Sequence, residues 1–423
     1  MHATNLPRMM KTLLVLTCLF MSYCISAQPA DTLRLTMDQA EQLFIEKNLL
    51  LLAQRYQVDA ARANEVQQRL FDNPNFSFEG AVHGRNVKWL DMGRNGQKSW
   101  TLDQLITLAG KRNKRVLLAR EETREAELQF YDLLRTLKYE LHQQFYDLAY
   151  ANELVAQYDE QAELLQQIIT AYDDQANRRN VSLKDAVRLK TEMIQLTTER
   201  TNIMRDAIAA GSNLQLMLDT NAVIVPVKLP WPGPAVWPDY QSLVDTARKN
   251  RSDLLIQSSR LAQQQLNYNL QKALAVPDLT LGAAYDQQGS YTNHLYSIRA
   301  SFDLPFFNRN QGNIKAAKAQ IKSAELIQHY TASAVEKEVL SVLQRAQLAE
   351  KEYQQSVKTF NSDFPAVNRA VIENFNKGNM SILEFLDFFE NYNAAIRELN
   401  GLHKQRRLTM EELEFTVGKS LGL

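Results

Sequence analysis

Cysteine is scarce in this chain: there are two, Cys18 and Cys24, and both fall within the first 27 residues. With that segment removed, a disulfide scaffold, a thiolate metal site and a cysteine nucleophile are all excluded. An excess of charge is missing too. Lys plus Arg and Asp plus Glu stand at 48 each, so nothing global selects nucleic acid or an anionic surface as partner. Glycine and proline are absent from Lys111 to Ala210, which removes every strong helix breaker from that window. No P-loop or Rossmann fingerprint occurs, which argues against nucleotide use. His83, His142, His294, His329 and His403 are scattered without HxxH or HExxH spacing, so neither a metal site nor a cofactor is expected.

At the N-terminus, Arg8 and Lys11 precede an apolar run from Leu13 to Phe20, and Ser26-Ala27 supplies small residues before Gln28. This reads as a secretory signal peptide over residues 1–27, because the run is well short of the roughly 20 apolar residues of a spanning helix. An exported protein is therefore expected.

The remainder says the same thing twice. Lys47-Asn48 matches Lys249-Asn250, Pro74 matches Pro277, and Asn180-Val181-Ser182-Leu183 matches Asn379-Met380-Ser381-Ile382, with an offset of 202, 203 and then 199. The pattern is a duplication with small indels. The first repeat spans 28–220, with a helix, a β-hairpin over 75–107 and a long helical hairpin over 111–218. The second spans 239–423, with a helix, a β-hairpin over 278–305 and a helical hairpin over 312–418. Residues 221–238, carrying Pro226, Pro230, Pro232, Pro234 and Pro238, form the linker.

Within 111–210, apolar residues step at three and four: Phe130, Leu134, Leu137, Leu141, Phe145 and Leu148, then Val155, Tyr158, Ala162, Leu165, Ile169 and Tyr172. One amphipathic helix of about 65 residues would reach roughly 100 Å. Asp173 to Asn180 interrupts the stripe, and Ser182 with Asp185 three residues on starts the return helix. In the second repeat, Lys377-Gly378-Asn379-Met380 makes the turn and Ser381 with Glu384 starts the return, while Pro365 is expected to kink or end the outgoing helix.

The segments between helices alternate with period two. Phe76, Phe78, Gly80 and Val82 share one face, and Ser77, Glu79 and His83 the other; Trp100, Leu102 and Ile106 oppose Ser99, Thr101 and Asp103. Leu279, Leu281, Ala283 and Tyr285, then Tyr296, Ile298, Ala300, Phe302 and Leu304, repeat the pattern. Four strands of about ten residues, apolar on one face and polar on the other, suit a transmembrane barrel wall with a wet interior; a small soluble sheet packed on helices is the alternative. Four strands cannot close a barrel, and an open edge is forbidden in lipid. Three chains would close one of 12 strands and set 12 helical strands side by side, so the expected architecture is mainly α with membrane β in a homotrimer.

These residues resemble the TolC-type outer-membrane efflux protein family, and more narrowly its CzcC/CusC-like branch. The most specific stretch is LPFFNRNQGNIKAAKAQI, Leu304 to Ile321, with QLITLAGKR, Gln104 to Arg112, as its first-repeat counterpart. The resemblance implies a trimeric 12-stranded β-barrel in the outer membrane, continued by a 12-helix periplasmic α-barrel. It implies an export duct, not an enzyme, working with a periplasmic adaptor (membrane fusion protein) and an inner-membrane resistance-nodulation-division (RND) pump, with outer-membrane lipid around the barrel. Glu384 and Asp387 match positions that carry acidic rings at the family's periplasmic constriction, and Asp185 matches a gate aspartate. The positions matching that aspartate's polar partners are Phe375 and Met380, both apolar. The turn residues Arg178, Arg179, Asn180, Val181 and Ser182, with Lys377, Gly378, Asn379, Met380 and Ser381, would form the tip that meets the adaptor. Heavy-metal cations are the branch's implied cargo; a duct for drugs or secreted products and a periplasmic coiled-coil scaffold remain the alternatives.

Overall fold

In the computed structural model of the chain, the structure describes residues 31–83, 89–90, 92–93, 96–178, 180–227, 233, 236–288, 292–359 and 364–422. The segment read as a signal peptide, both cysteines, Arg179, Trp231 and most of the linker prolines lie outside the described residues.

The element order is β1 (Thr32–Leu35), α1 (Met37–Lys47), α2 (Leu49–Arg69), β2 (Asn75–Gly80), β3 (Gln97–Ile106), α3 (Lys111–Asn177), α4 (Leu183–Met217) and β4 (Val223–Pro226). It continues with α5 (Tyr240–Asn250), α6 (Ser252–Leu274), β5 (Leu279–Gln288), β6 (Thr292–Ser301), α7 (Gln311–Thr359), α8 (Phe364–Asn376) and α9 (Ile382–Val417). Element lengths repeat across the two halves, 11 residues for both α1 and α5, and 35 and 36 for α4 and α9. Two long helical hairpins are present, where a coiled-coil scaffold would have one.

Each short helix ends on one extended residue before its successor begins: Asn48 in the first repeat (ψ 117°) and Arg251 in the second (ψ 117°). Asn48 donates from Nδ2 to the Met217 carbonyl, whereas Arg251, 5% exposed, donates to the Thr416 carbonyl and pairs with Asp253 and Glu338. Two different residues thus satisfy the same break in the helical ladder.

The chain divides into two compact units that cut across the sequence repeats. One comprises the described residues within 1–48, 141–231 and 363–400, the other those within 49–140, 232–362 and 401–423. In the first, Leu154, Tyr158, Leu165 and Ile169 of α3 pack with Leu189 and Leu196 of α4, Phe375 of α8, and Phe385 and Phe389 of α9. Leu154, not Val155, is the fully packed residue where the stripe steps across 148–158. In the second, Leu243, Val244 and Ala247 of α5 pack with Val335, Val339 and Val342 of α7 and with Leu413 and Val417 of α9. Arg406 is 2% exposed there, pairs with Glu350, donates to the Gly233 carbonyl at 2.6 Å and lies over the Tyr353 ring.

As expected from Pro365, the outgoing helix of the second repeat is interrupted: it is two helices, α7 and α8, with Pro365 in the first turn of α8, the position where its missing N–H costs nothing. Two other expectations differ from what is observed. Within the stretch read as linker, Val223–Pro226 forms a strand that pairs in parallel with β1, Thr32 opposite Val223 and Leu35 opposite Pro226; proline is tolerated at such a strand end. β2 holds six residues rather than about ten, and Val82 follows it outside the strand.

Candidate functional site

The four longer strands form one sheet in the order β2-β3-β5-β6, so β2 and β6 are its edges. All neighbours are antiparallel, and β3 pairs with β5 over ten residues from Gln97–Gln288 to Ile106–Leu279. This junction welds the two hairpins, from different repeats, into one surface. Direct partners share a face, so Phe76, Leu102, Ala283 and Ile298 form one apolar row and Phe78, Trp100, Tyr285 and Tyr296 form another. In the aromatic row, Phe78 and Trp100 stand 4.8 Å apart and Tyr285 and Tyr296 5.1 Å apart, centroid to centroid. One step further along the strands the same face turns polar, with Lys98 opposite both Gly80 and Gln287 and His294 hydrogen-bonded to the Tyr285 hydroxyl.

Among the described residues, nothing covers this apolar face. Ile298 is 94% exposed, Phe76, Trp100, Leu102, Leu281 and Tyr296 are exposed as well, and no helix of the same unit makes more than marginal contact with the sheet. The alternative of a small soluble sheet would need helices packed on this face. An uncovered apolar sheet bordered by an aromatic row has the pattern expected of the outer surface of a membrane barrel wall. β3, β5 and β6 are ten residues each; at about 3.4 Å per residue and about 40° of tilt they span roughly 26 Å, the height of the barrel's apolar band. No described helix is long and apolar enough to cross a membrane.

On the polar face, Asn75, Asp103, Gly282 and Arg299 form one row, and Arg299 pairs with Asp103 directly over Gly282. A Cβ at position 282 would collide with Asp103 Oδ1. Gly282→Ala is expected to displace that carboxylate and lower stability by about 1–3 kcal/mol. In an Asp103→Ala background the same change is expected to cost little, so a double-mutant cycle by thermal unfolding checks the assignment.

The junction motifs fasten strands to helices. Asn310 adopts φ 56°, which asparagine tolerates, and its Nδ2 donates to the carbonyl and to Oε1 of Gln271, at 2.8 and 2.9 Å. In the first-repeat counterpart, Lys111 is 3% exposed and pairs at 2.7 Å with Asp278, whose Oδ1 also accepts from the Leu108 N–H.

The second assembly is the pair of helical turns. Asn180 N–H donates to the Gln175 carbonyl at 2.9 Å and Asn379 N–H to the Asn374 carbonyl at 3.0 Å, the same bond at an offset of 199. Gly378 takes φ 76°, the left-handed position that closes a helix in this way. Arg178 N–H bonds the Asp174 carbonyl, Val181 is half-buried, and Lys377 pairs with Glu373. Met380 packs on the aromatic cluster of its unit.

Ser381 and Glu384 make a reciprocal capping box: the Glu384 N–H donates to Ser381 Oγ, and Glu384 Oε2 accepts from the Ser381 N–H and Oγ. Those bonds, the backbone one foremost, hold the Glu384 carboxyl below its ordinary range. Asp387 is exposed one turn further on. Ser182 caps α4 through the Lys184 N–H, while Asp185 does not reach back to it and instead lies 3.8 Å from Arg188. Phe375, 3% exposed, stacks between Tyr172 at 5.4 Å and Phe385 at 4.2 Å. An aromatic stack therefore stands at the positions that the family resemblance matches to the polar partners of a gate aspartate. Sequence reading missed the Asp173–Lys190 pair at 2.8 Å and the Tyr158–Glu199–Arg397 group, both of which join residues from different helices. Among the described residues no three His, Cys, Asp or Glu side chains converge as metal ligands.

Residues 243–419 match the family described as outer membrane efflux protein. No curated protein matches the chain in sequence. The outer membrane channel CmeC of Campylobacter jejuni has the same fold, with a TM-score of 0.75 at 14% identity over 90% of this chain and 85% of that one. CusC, known in a study of transmembrane channel formation, gives 0.75 at 15% identity over 93% and 96%, and the outer membrane protein VceC of Vibrio cholerae 0.73 at 15% over 91% and 96%. The fold is that of the TolC-type outer-membrane channels. The resemblance to the TolC-type family is thus borne out in fold over about nine tenths of the chain and in sequence over residues 243–419; these matches do not single out the CzcC/CusC-like branch.

Proposed function

We propose that this protein is the outer-membrane channel of a tripartite efflux pump: a passive homotrimeric duct that takes cargo from a periplasmic adaptor and an inner-membrane RND transporter to the outside. The observation that carries the reading is the uncovered apolar face of a four-stranded sheet with two free edges. Edge β6 of one copy against edge β2 of the next leaves no unpaired backbone in lipid once three copies have closed a 12-stranded barrel. The two helical hairpins of each copy, one per repeat, would then supply 12 helical strands. Energy comes from the pump, and the chain itself is not an enzyme.

Asp185, Glu384 and Asp387 are assigned to the periplasmic mouth, and residues 178–182 and 377–381 to the tip that docks the adaptor. Three copies of Glu384 and Asp387 would set six carboxylates around that mouth and favour cations. Cationic cargo, heavy-metal ions included, agrees with this ring and with the CzcC/CusC-like sequence at 304–321. The test is the mass of the purified protein by light scattering together with single-channel current in planar bilayers. A conducting trimer is expected; a monomer without conductance overturns the duct. Glu384→Gln with Asp387→Asn is expected to reduce cation preference and block by multivalent cations, and unchanged selectivity overturns the ring while leaving the duct intact.

A further inference from the structure

Between α4 and α9, within one compact unit, lies a pocket of about 410 Å³ lined by Glu192, Leu196 and Glu199 on one side and Glu390, Asn393 and Arg397 on the other. Its size falls within the range of small-molecule sites. Charge in it is unbalanced. Glu199 is already satisfied, accepting from the Tyr158 hydroxyl at 2.7 Å and lying 3.4 Å from Arg397. Among the described residues no cation stands within ion-pair range of Glu192 or Glu390. Burial, and after it the charges of Glu390 and Glu199, push the Glu192 carboxyl above its ordinary range, so a positive charge here would relieve a real cost.

Asn393 is the independent observation. It is 5% exposed, and among the described residues neither its Nδ2 nor its Oδ1 has a hydrogen-bond partner. An orphaned amide in a helix interior costs about 1–3 kcal/mol, and Asn393 is one of the residues that line the pocket. Leu196 and Ala394 add apolar wall. A bare metal ion does not suit the site, because no three ligating side chains converge among the described residues.

We propose that this pocket binds an amphiphilic organic ammonium ion. Glu192, Glu390 and Asn393 Oδ1 accept its N–H groups, Asn393 Nδ2 donates to a neighbouring acceptor on the ligand, and Leu196 and Ala394 cover its hydrocarbon part. The site goes beyond the channel reading and stands apart from it, since binding is measured on the purified full chain whether or not that chain conducts.

The experiment is fluorescence titration of the protein in lipid nanodiscs with dansylcadaverine, a primary ammonium on an aromatic frame, with neutral dansylamide and empty nanodiscs as controls. Saturable binding of one dansylcadaverine per chain, absent for dansylamide, is expected. Glu192→Gln with Glu390→Gln is expected to weaken it tenfold or more. Asn393→Leu, which removes the orphaned amide at similar volume and is expected to leave the thermal midpoint unchanged or raised, should weaken binding several-fold and carries the test if the double variant fails to fold. No saturable binding to the wild-type chain, equal binding of dansylamide, or full affinity in a folded variant would each mean the pocket holds only water, and would overturn the proposal.

Discussion

Replacing Phe375 with alanine is expected to cost about 3–5 kcal/mol, the range for deleting a fully buried phenylalanine. The residue is 3% exposed and stands in a continuous stack, Tyr172 on one side and Phe385 on the other, with Phe389 beyond at 5.6 Å from Phe385. Its removal leaves a cavity among four helices, because neighbours on rigid helices cannot collapse into the space. The stack ties the end of α3 to α8 and α9, so the loss should be local first: faster hydrogen exchange around residues 172–186 and 372–386, ahead of any global unfolding. On the channel reading the same variant should conduct more at rest, since the stack stands where a polar lock would be. Unchanged exchange at both turns would mean that the stack does not hold them.

Glu350→Gln is expected to have an effect of similar size by a different route. Glu350 is the carboxylate partner of Arg406, whose side chain is 2% exposed. Removing one member of a buried pair leaves the other charge desolvated, at about 3–5 kcal/mol, whereas replacing both members with apolar residues is often neutral or stabilising. Thermal unfolding of Glu350→Gln, Arg406→Met and Glu350→Leu/Arg406→Met checks the assignment: either single change should be markedly worse than the double. The cation–π contact with Tyr353, at 4.5 Å, and the bond to the Gly233 carbonyl explain why Arg406 should not simply swing out to water. Equal losses in all three variants would mean that shape, not charge, is what this position requires.

Much of the architecture was legible because its causes are local. Three-and-four spacing from Leu137 to Ile169 places apolar side chains on one helical face. Alternation through Trp100, Leu102, Ala283 and Ile298 puts apolar groups on one side of a strand for an equally local reason. The Ser381–Glu384 box and the left-handed Gly378 involve bonds reaching only a few residues. Where two local rules competed, the sequence reading erred: Ser182 and Asp185 have the spacing of a capping box, yet Asp185 lies nearer Arg188.

By itself, then, the sequence determined the duplication, legible as matching segments about 200 positions apart, and the long helical hairpins, the period-two strands and the positions of both turns, each of which is dictated by neighbours within about four residues. Only the tertiary structure decided that β3 pairs with β5 and so leaves β2 and β6 as edges, that β1 meets β4 inside the proline-rich stretch, and that Glu192, Glu390 and Asn393 share one pocket. Those outcomes join residues about 200 positions apart. No spacing rule reaches so far; which segments meet depends on burying apolar faces and satisfying backbone groups across the whole fold at once.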